Sequence, residues 1–153
     1  MQTKPETEPT LNSARPEMTR ALMEKTGLDD AQLATLVAEF YGRVRSDPLI
    51  GPIFAARVTD WPAHLDRLTD FWSSVALMTG RYHGAPVPAH ASLPVTWEHF
   101  DRWLTLFRET AHRVCSPVGA AHVIERAERI AKSLHIAVQD AAETTADAVP
   151  NLR

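Results

Sequence analysis

One cysteine, Cys115, occurs in 153 residues. That scarcity excludes an internal disulfide framework and a four-cysteine zinc ribbon. The 6 glycines fall in no phosphate-cradling loop and no nucleophile elbow. No apolar run approaches the roughly 18 residues that a membrane-crossing helix needs. The opening MQTKPETEPT is polar and acidic, unlike a secretory leader, so the expected address is cytoplasmic. Excess basic charge is missing too: 16 Lys and Arg against 19 Asp and Glu leave a net −3. No nucleic-acid or anionic-membrane partner is expected from that balance. Nor does any stretch alternate apolar and polar residues as a half-buried strand does.

What is present is helical periodicity, at a length typical of one domain. Residues 1–15 contain Pro5 and Pro9 among Thr, Glu and Ser and read as a disordered tail. Pro16 and Gly27 bracket a short helix. A strong helix runs from Asp30 to Arg45 on the stripe Leu33, Leu36, Val37, Phe40, Tyr41 and Val44. A short helix over 52–57 follows. The next opens at the Asp60 cap and carries Trp61, Leu65, Leu68, Phe71, Trp72 and Val75 as far as Gly80. Gly84, Pro86, Pro88 and Pro94 then allow at most a turn or two of helix. Thr96 caps a helix to Val114, and Ser116-Pro117 starts a last one to Ala142. Its expected buried face is Val118, Ala121, Ile124, Ala127, Ala131, Leu134 and Val138. Glu precedes Arg or Lys by four in Glu39/Arg43, Glu98/Arg102, Glu109/Arg113, Glu125/Arg129 and Glu128/Lys132, the favourable order for pairs along one helix. The fold class is all-α, with an extension at 1–27, a domain at 28–142 and a tail at 143–153.

The 7 histidines invite a metal hypothesis, but no two lie three or four apart, so no HExxH-type face exists. A di-iron bundle needs two Glu-x-x-His motifs, and only Glu109 to His112 fits. Three polar-tipped residues fall on buried stripes instead: Tyr41, His64 and Trp103. Each finds a backbone partner, or together they line a polar pocket. His90 sits in PVPAHASLP, either as a plain loop residue or as a lone imidazole facing the bundle. One such axial ligand is what haem requires. In a helical turn its Nδ1–H reaches the carbonyl of Pro86 and leaves Nε2 free.

At this point the sequence resembles the group III truncated haemoglobins over about residues 28–140. The motifs are Phe40-Tyr41, Gly51-Pro52-Ile53-Phe54, Trp61-x-x-His64, Phe71-Trp72 and Gly80-x-Tyr82-x-Gly84-x-Pro86. His90, Leu93-Pro94, Trp103-Leu104 and Phe107 complete the set. The resemblance implies a two-over-two helical sandwich around haem b. It implies His90 as the iron ligand, with Tyr41, His64 and Trp103 as distal polar residues and Phe40 beside them. Phe54, Leu68, Phe71 and Trp72, with Phe40, would line the apolar pocket. Arg67 is the first candidate to pair with a haem propionate, ahead of Arg81 and Tyr82. His64 is left with three roles: donor, gate or sixth ligand.

The implied function is binding of dioxygen or a related diatomic ligand at ferrous iron. The alternative is a haem redox enzyme turning over nitric oxide, nitrite or peroxide, with an external reductase because no flavin or nicotinamide motif is present. A third reading is a cofactor-free helical module.

Overall fold

The computed structural model describes residues 11–148, with side chains as far as residue 144. Within them lie seven helices: α1 (Pro16–Thr26), α2 (Asp30–Ser46), α3 (Gly51–Arg57), α4 (Trp61–Leu77), α5 (Pro86–His90), α6 (Trp97–Val114) and α7 (Pro117–Ala148). No strand occurs among the described residues. None of these helices is long and apolar enough to cross a membrane.

The stripes decide the packing. α2 lies on α4 and α6 on α7, and the two pairs meet through α2–α6 and α4–α7 contacts. All six stripe residues of α2 are buried. Between the layers, Trp72 and Trp103 both stack on Phe107, at 4.9 and 5.6 Å between ring centres. Phe40 meets Phe107 edge-on at 5.1 Å.

The caps are mostly where the side chains predict them. Asp29 Oδ1 accepts from Gln32 N–H at 2.7 Å, and Asp60 Oδ1 from Ala63 N–H at 3.1 Å. At the α2–α3 corner, the buried Asp47 carboxylate accepts from Leu49 and Ile50 N–H at 3.0 Å each and from Arg102 at 2.7 Å. α3 starts on Gly51 because its first turn runs against the end of α2. A Cβ there would lie 2.9 Å from the Arg45 carbonyl oxygen.

Several expectations need correction. α4 stops at Leu77, where Met78 takes the left-handed cap (φ 56°) before Gly80 is reached. α7 runs on to Ala148, past the expected end at Ala142. Its buried face begins with Ala120 and Val123, while Val118 and Ala121 are exposed. The charge pairs are mostly redistributed. Arg43 pairs with Glu109 and Arg113 with Glu39, two crossed ties between α2 and α6. Arg102 goes to Asp47, and Glu128 to Arg108. Glu125–Arg129 keeps its expected partner, at 2.5 Å. Spacing four along a helix permits a pair, but a cation on a neighbouring helix competes for the same carboxylate.

The tail assigned to residues 1–15 is not all free. Ala14 N–H donates to the Thr79 carbonyl at 2.8 Å, and Ser13 Oγ lies 2.7 Å from Thr19 Oγ1. Residues 1–10 and 149–153 of the two expected tails lie outside the described residues.

Candidate functional site

A cavity of about 850 Å³ opens between α2, α3 and α4 on one side and the segment around α5 on the other, with α6 and α7 behind. His90 forms part of its wall. Ala85 is extended, as a residue before proline prefers, and Pro86 opens the one-and-a-half turns of α5. The helix ends on His90, whose Nδ1 lies 2.6 Å from the Pro86 carbonyl oxygen. A carbonyl only accepts, so Nδ1 carries a hydrogen, and the neutral ring in this tautomer has its lone pair on Nε2. None of the α5 residues is buried.

Across the cavity stand Tyr41, His64 and Trp103. Tyr41 is 5 % exposed. Burial pushes its phenol up to about 12, and the Trp103 side chain offsets part of that rise. Tyr41 is therefore a neutral O–H donor throughout the physiological range. His64 is held below the ordinary histidine value, first by burial, then by the charges of Arg67 and His90. Both imidazoles line the one cavity. Phe54 meets the Tyr41 ring edge-on at 5.7 Å, and Leu68, Phe71 and Trp72 supply apolar wall.

Phe40 is the exception among the expected lining residues. It is fully buried behind the wall, against Tyr41 at 4.7 Å and Trp103 at 5.4 Å. It supports two lining side chains and does not line the cavity itself.

The expected propionate partners separate. Arg67 is exposed at the cavity with no ion-pair partner among the described residues. Arg81 is already engaged: its guanidinium holds Asp30 at 2.6 and 3.1 Å and the Asn12 carbonyl at 3.0 Å. Asp70 lies 3.4 Å away. The hydrogen bond to Asp30 is the main cause raising the Arg81 pKa. Arg81 thus pins the N-terminal segment to the rim. Tyr82 packs edge-on against Phe71 at 5.1 Å and folds over Gly84, where a Cβ would collide with the phenol.

Sequence reasoning missed the contribution of α7. Ile130, Ala131 and Leu134 form a wall of the cavity, as do Ile50 and Ile53 near α3. Their helical spacing is that of ordinary core. His83 and His99 also reach the cavity. His99 Nδ1 accepts from Thr96 N–H at 3.0 Å, so it serves the start of α6.

The family model of the bacterial-like globins matches residues 21–136. The chain is 32% identical over 109 residues to the group 3 truncated hemoglobin ctb of Campylobacter jejuni, covering 68% of this chain and 86% of that one. It is 34% identical over 85 residues to the group 2 truncated hemoglobin YjbI of Bacillus subtilis, covering 54% of this chain and 64% of that one. The crystal structure of the group III truncated hemoglobin from C. jejuni superposes with a TM-score of 0.68 at 31% identity, over 72% of this chain and 91% of the other. The chain belongs to the bacterial-like globin family. Within it, the likeness is to the group III truncated haemoglobins, in sequence and in fold. The match begins inside α1.

Proposed function

We propose that the cavity holds haem b, with His90 Nε2 as the protein's iron ligand and Tyr41, Trp103 and His64 on the ligand side. The observation that carries this reading is the 2.6 Å bond from His90 Nδ1 to Pro86, which aims the free ring nitrogen from an otherwise weakly packed helix. Membership of a globin family supports it, as does the fit of the residues present. An apolar cavity of about 850 Å³ suits a large planar ring, and Arg67 supplies an unpaired cation at its edge for a propionate.

Haem supplies the ferrous iron that takes a diatomic ligand. The chain's own residues do the rest. His90 binds and orients through a fixed tautomer. Phe54, Leu68, Phe71 and Trp72 exclude water. Tyr41 O–H and Trp103 N–H donate toward a ligand that carries partial negative charge, in surroundings where such bonds are strengthened by low dielectric. Dioxygen fits that donor pair better than carbon monoxide, because it is the more polar when bound. The spectrum of the purified protein tests the reading. An intense Soret band that shifts on reduction and again on adding dioxygen or carbon monoxide is expected. A protein without visible absorption after haem is supplied in excess contradicts it.

A further inference from the structure

His64 is half-buried, yet its ring makes no hydrogen bond to protein among the described residues. Two aromatic rings lie against it. Tyr41 meets it edge-on at 6.1 Å and 82°. Trp61 meets it at 5.5 Å and 88°. Trp61 lies three residues before His64, so the two share one face of α4. Its backbone is fixed by position: it is the first residue after the Asp60 cap and precedes Pro62. The indole in turn touches Tyr41 at 6.2 Å and Phe54 at 6.4 Å. One face of the indole is covered by the Arg45 guanidinium, 4.4 Å from the ring centre. Arg45 lies four residues after Tyr41, on the same face of α2. Two residues from each helix thus form one cluster, with charge on the outside and the cavity on the inside.

We propose that Trp61 is the positioning residue for His64, and that Arg45 holds Trp61 in place through its outer ring face. This inference rests on the proposed haem site, since it concerns where His64 stands relative to a ligand there. An imidazole with no hydrogen-bond partner has a broad choice of ring angle about its last torsion. Edge-to-face contact with Trp61 and Tyr41 narrows that choice, because the positive ring edge prefers the negative face of its neighbour. Tyr41 belongs to the ligand machinery. Trp61 sits at the outer end of the cluster and acts through His64.

The test uses the full chain with haem, reduced and treated with carbon monoxide. The C–O stretching band reports which side chain stands near the ligand. The parent should show one dominant band. Trp61→Ala should split it, with the parent orientation of His64 reduced roughly threefold or more. Trp61→Phe keeps an aromatic face and should restore the single band. Arg45→Gln, an exposed change, should split the band in the same way as Trp61→Ala, to a smaller extent. The His64 ring-proton resonances, read on the same samples, should move toward those of a free imidazole in Trp61→Ala and not in Trp61→Phe. A parent-like band and parent-like His64 resonances in Trp61→Ala overturn the proposal. If the parent itself carries no haem, the haem site fails. The resonances remain readable in that case and still decide whether Trp61 holds His64.

Discussion

The two walls of the cavity are built differently. On the side proposed for the ligand, Tyr41 is 5 % exposed and is backed by the fully buried Phe40, with Trp103, Phe54 and His64 around it in one ring network. On the opposite side, His90 ends a five-residue helix with no buried residue, oriented by a single bond to Pro86. Dense packing suits a wall that must present donors at fixed positions. A short helix between prolines suits a wall with only one nitrogen to deliver, provided that its backbone is stiff. The contrast separates two ways of fixing a side chain: crowding by neighbours, and restriction of the chain itself.

The first way to break the comparison is to undermine the crowded wall at the α2–α3 corner. Asp47→Ala leaves the Leu49 and Ile50 N–H groups without their carboxylate and frees Arg102. A loss of about 2–3 kcal/mol in urea unfolding is expected. Burial pushes the Asp47 carboxyl up, but the Ile50 N–H, Arg102 and Leu49 N–H outweigh it and hold the pKa below the ordinary value. Its stabilisation is therefore complete above about pH 4 and fades as pH falls through the lower folded value. The parent should lose stability in that acid range more steeply than Asp47→Ala does.

The second way acts on the donors without disturbing the packing. Tyr41→Phe and Trp103→Phe should each release dioxygen roughly tenfold faster, a change of about 1.4 kcal/mol if association is unchanged. Carbon monoxide release should scarcely move. If both donors reach one ligand, the double variant departs from the sum of the two effects. Equal changes for both gases in stopped-flow would point to pocket shape as the cause.

Removing residues 1–15 tests the far edge of the cavity. It deletes the Ala14–Thr79 bond, the Ser13–Thr19 contact and one partner of Arg81. About 1 kcal/mol of thermal stability should go with them, and haem should transfer faster to an acceptor globin. A truncated chain with parental melting would mean that these contacts carry no weight.

A last effect is confined to high pH. The Tyr41 pKa is raised by burial to about 12. Its contribution to stability is whole below about pH 10, the free tyrosine value, and declines as pH rises through the folded one. Tyr41→Phe should remove that share of the alkaline slope in denaturant titrations.

The stripe of α2 was legible because burial repeats with the helix, and so was the His90–Pro86 bond, which is local in sequence. On α4 only Trp72 of the expected stripe is buried, beside the unexpected Ser73, Ala76 and Leu77. Contacts set by tertiary approach were not. Phe40 and Tyr41 look equivalent on one stripe, yet one supports the wall and the other lines the cavity. The α7 wall residues share their spacing with plain core. Arg81 finds Asp30 across 51 residues of sequence, and Asn12 and Ala14 attach through backbone groups, which leave no periodicity. At the start of α7, small alanines on two adjacent faces gave the periodicity too little contrast to fix the phase.

The central claim is that one nitrogen of α5 holds the cofactor. The haem content of His90→Gly, measured beside that of His83→Ala, tests it most directly. The account predicts that His90→Gly purifies nearly haem-free, regains a Soret band when imidazole and haem are added together, and that His83→Ala keeps its haem throughout. Full haem retention by His90→Gly without imidazole, or loss of haem by His83→Ala, would contradict it.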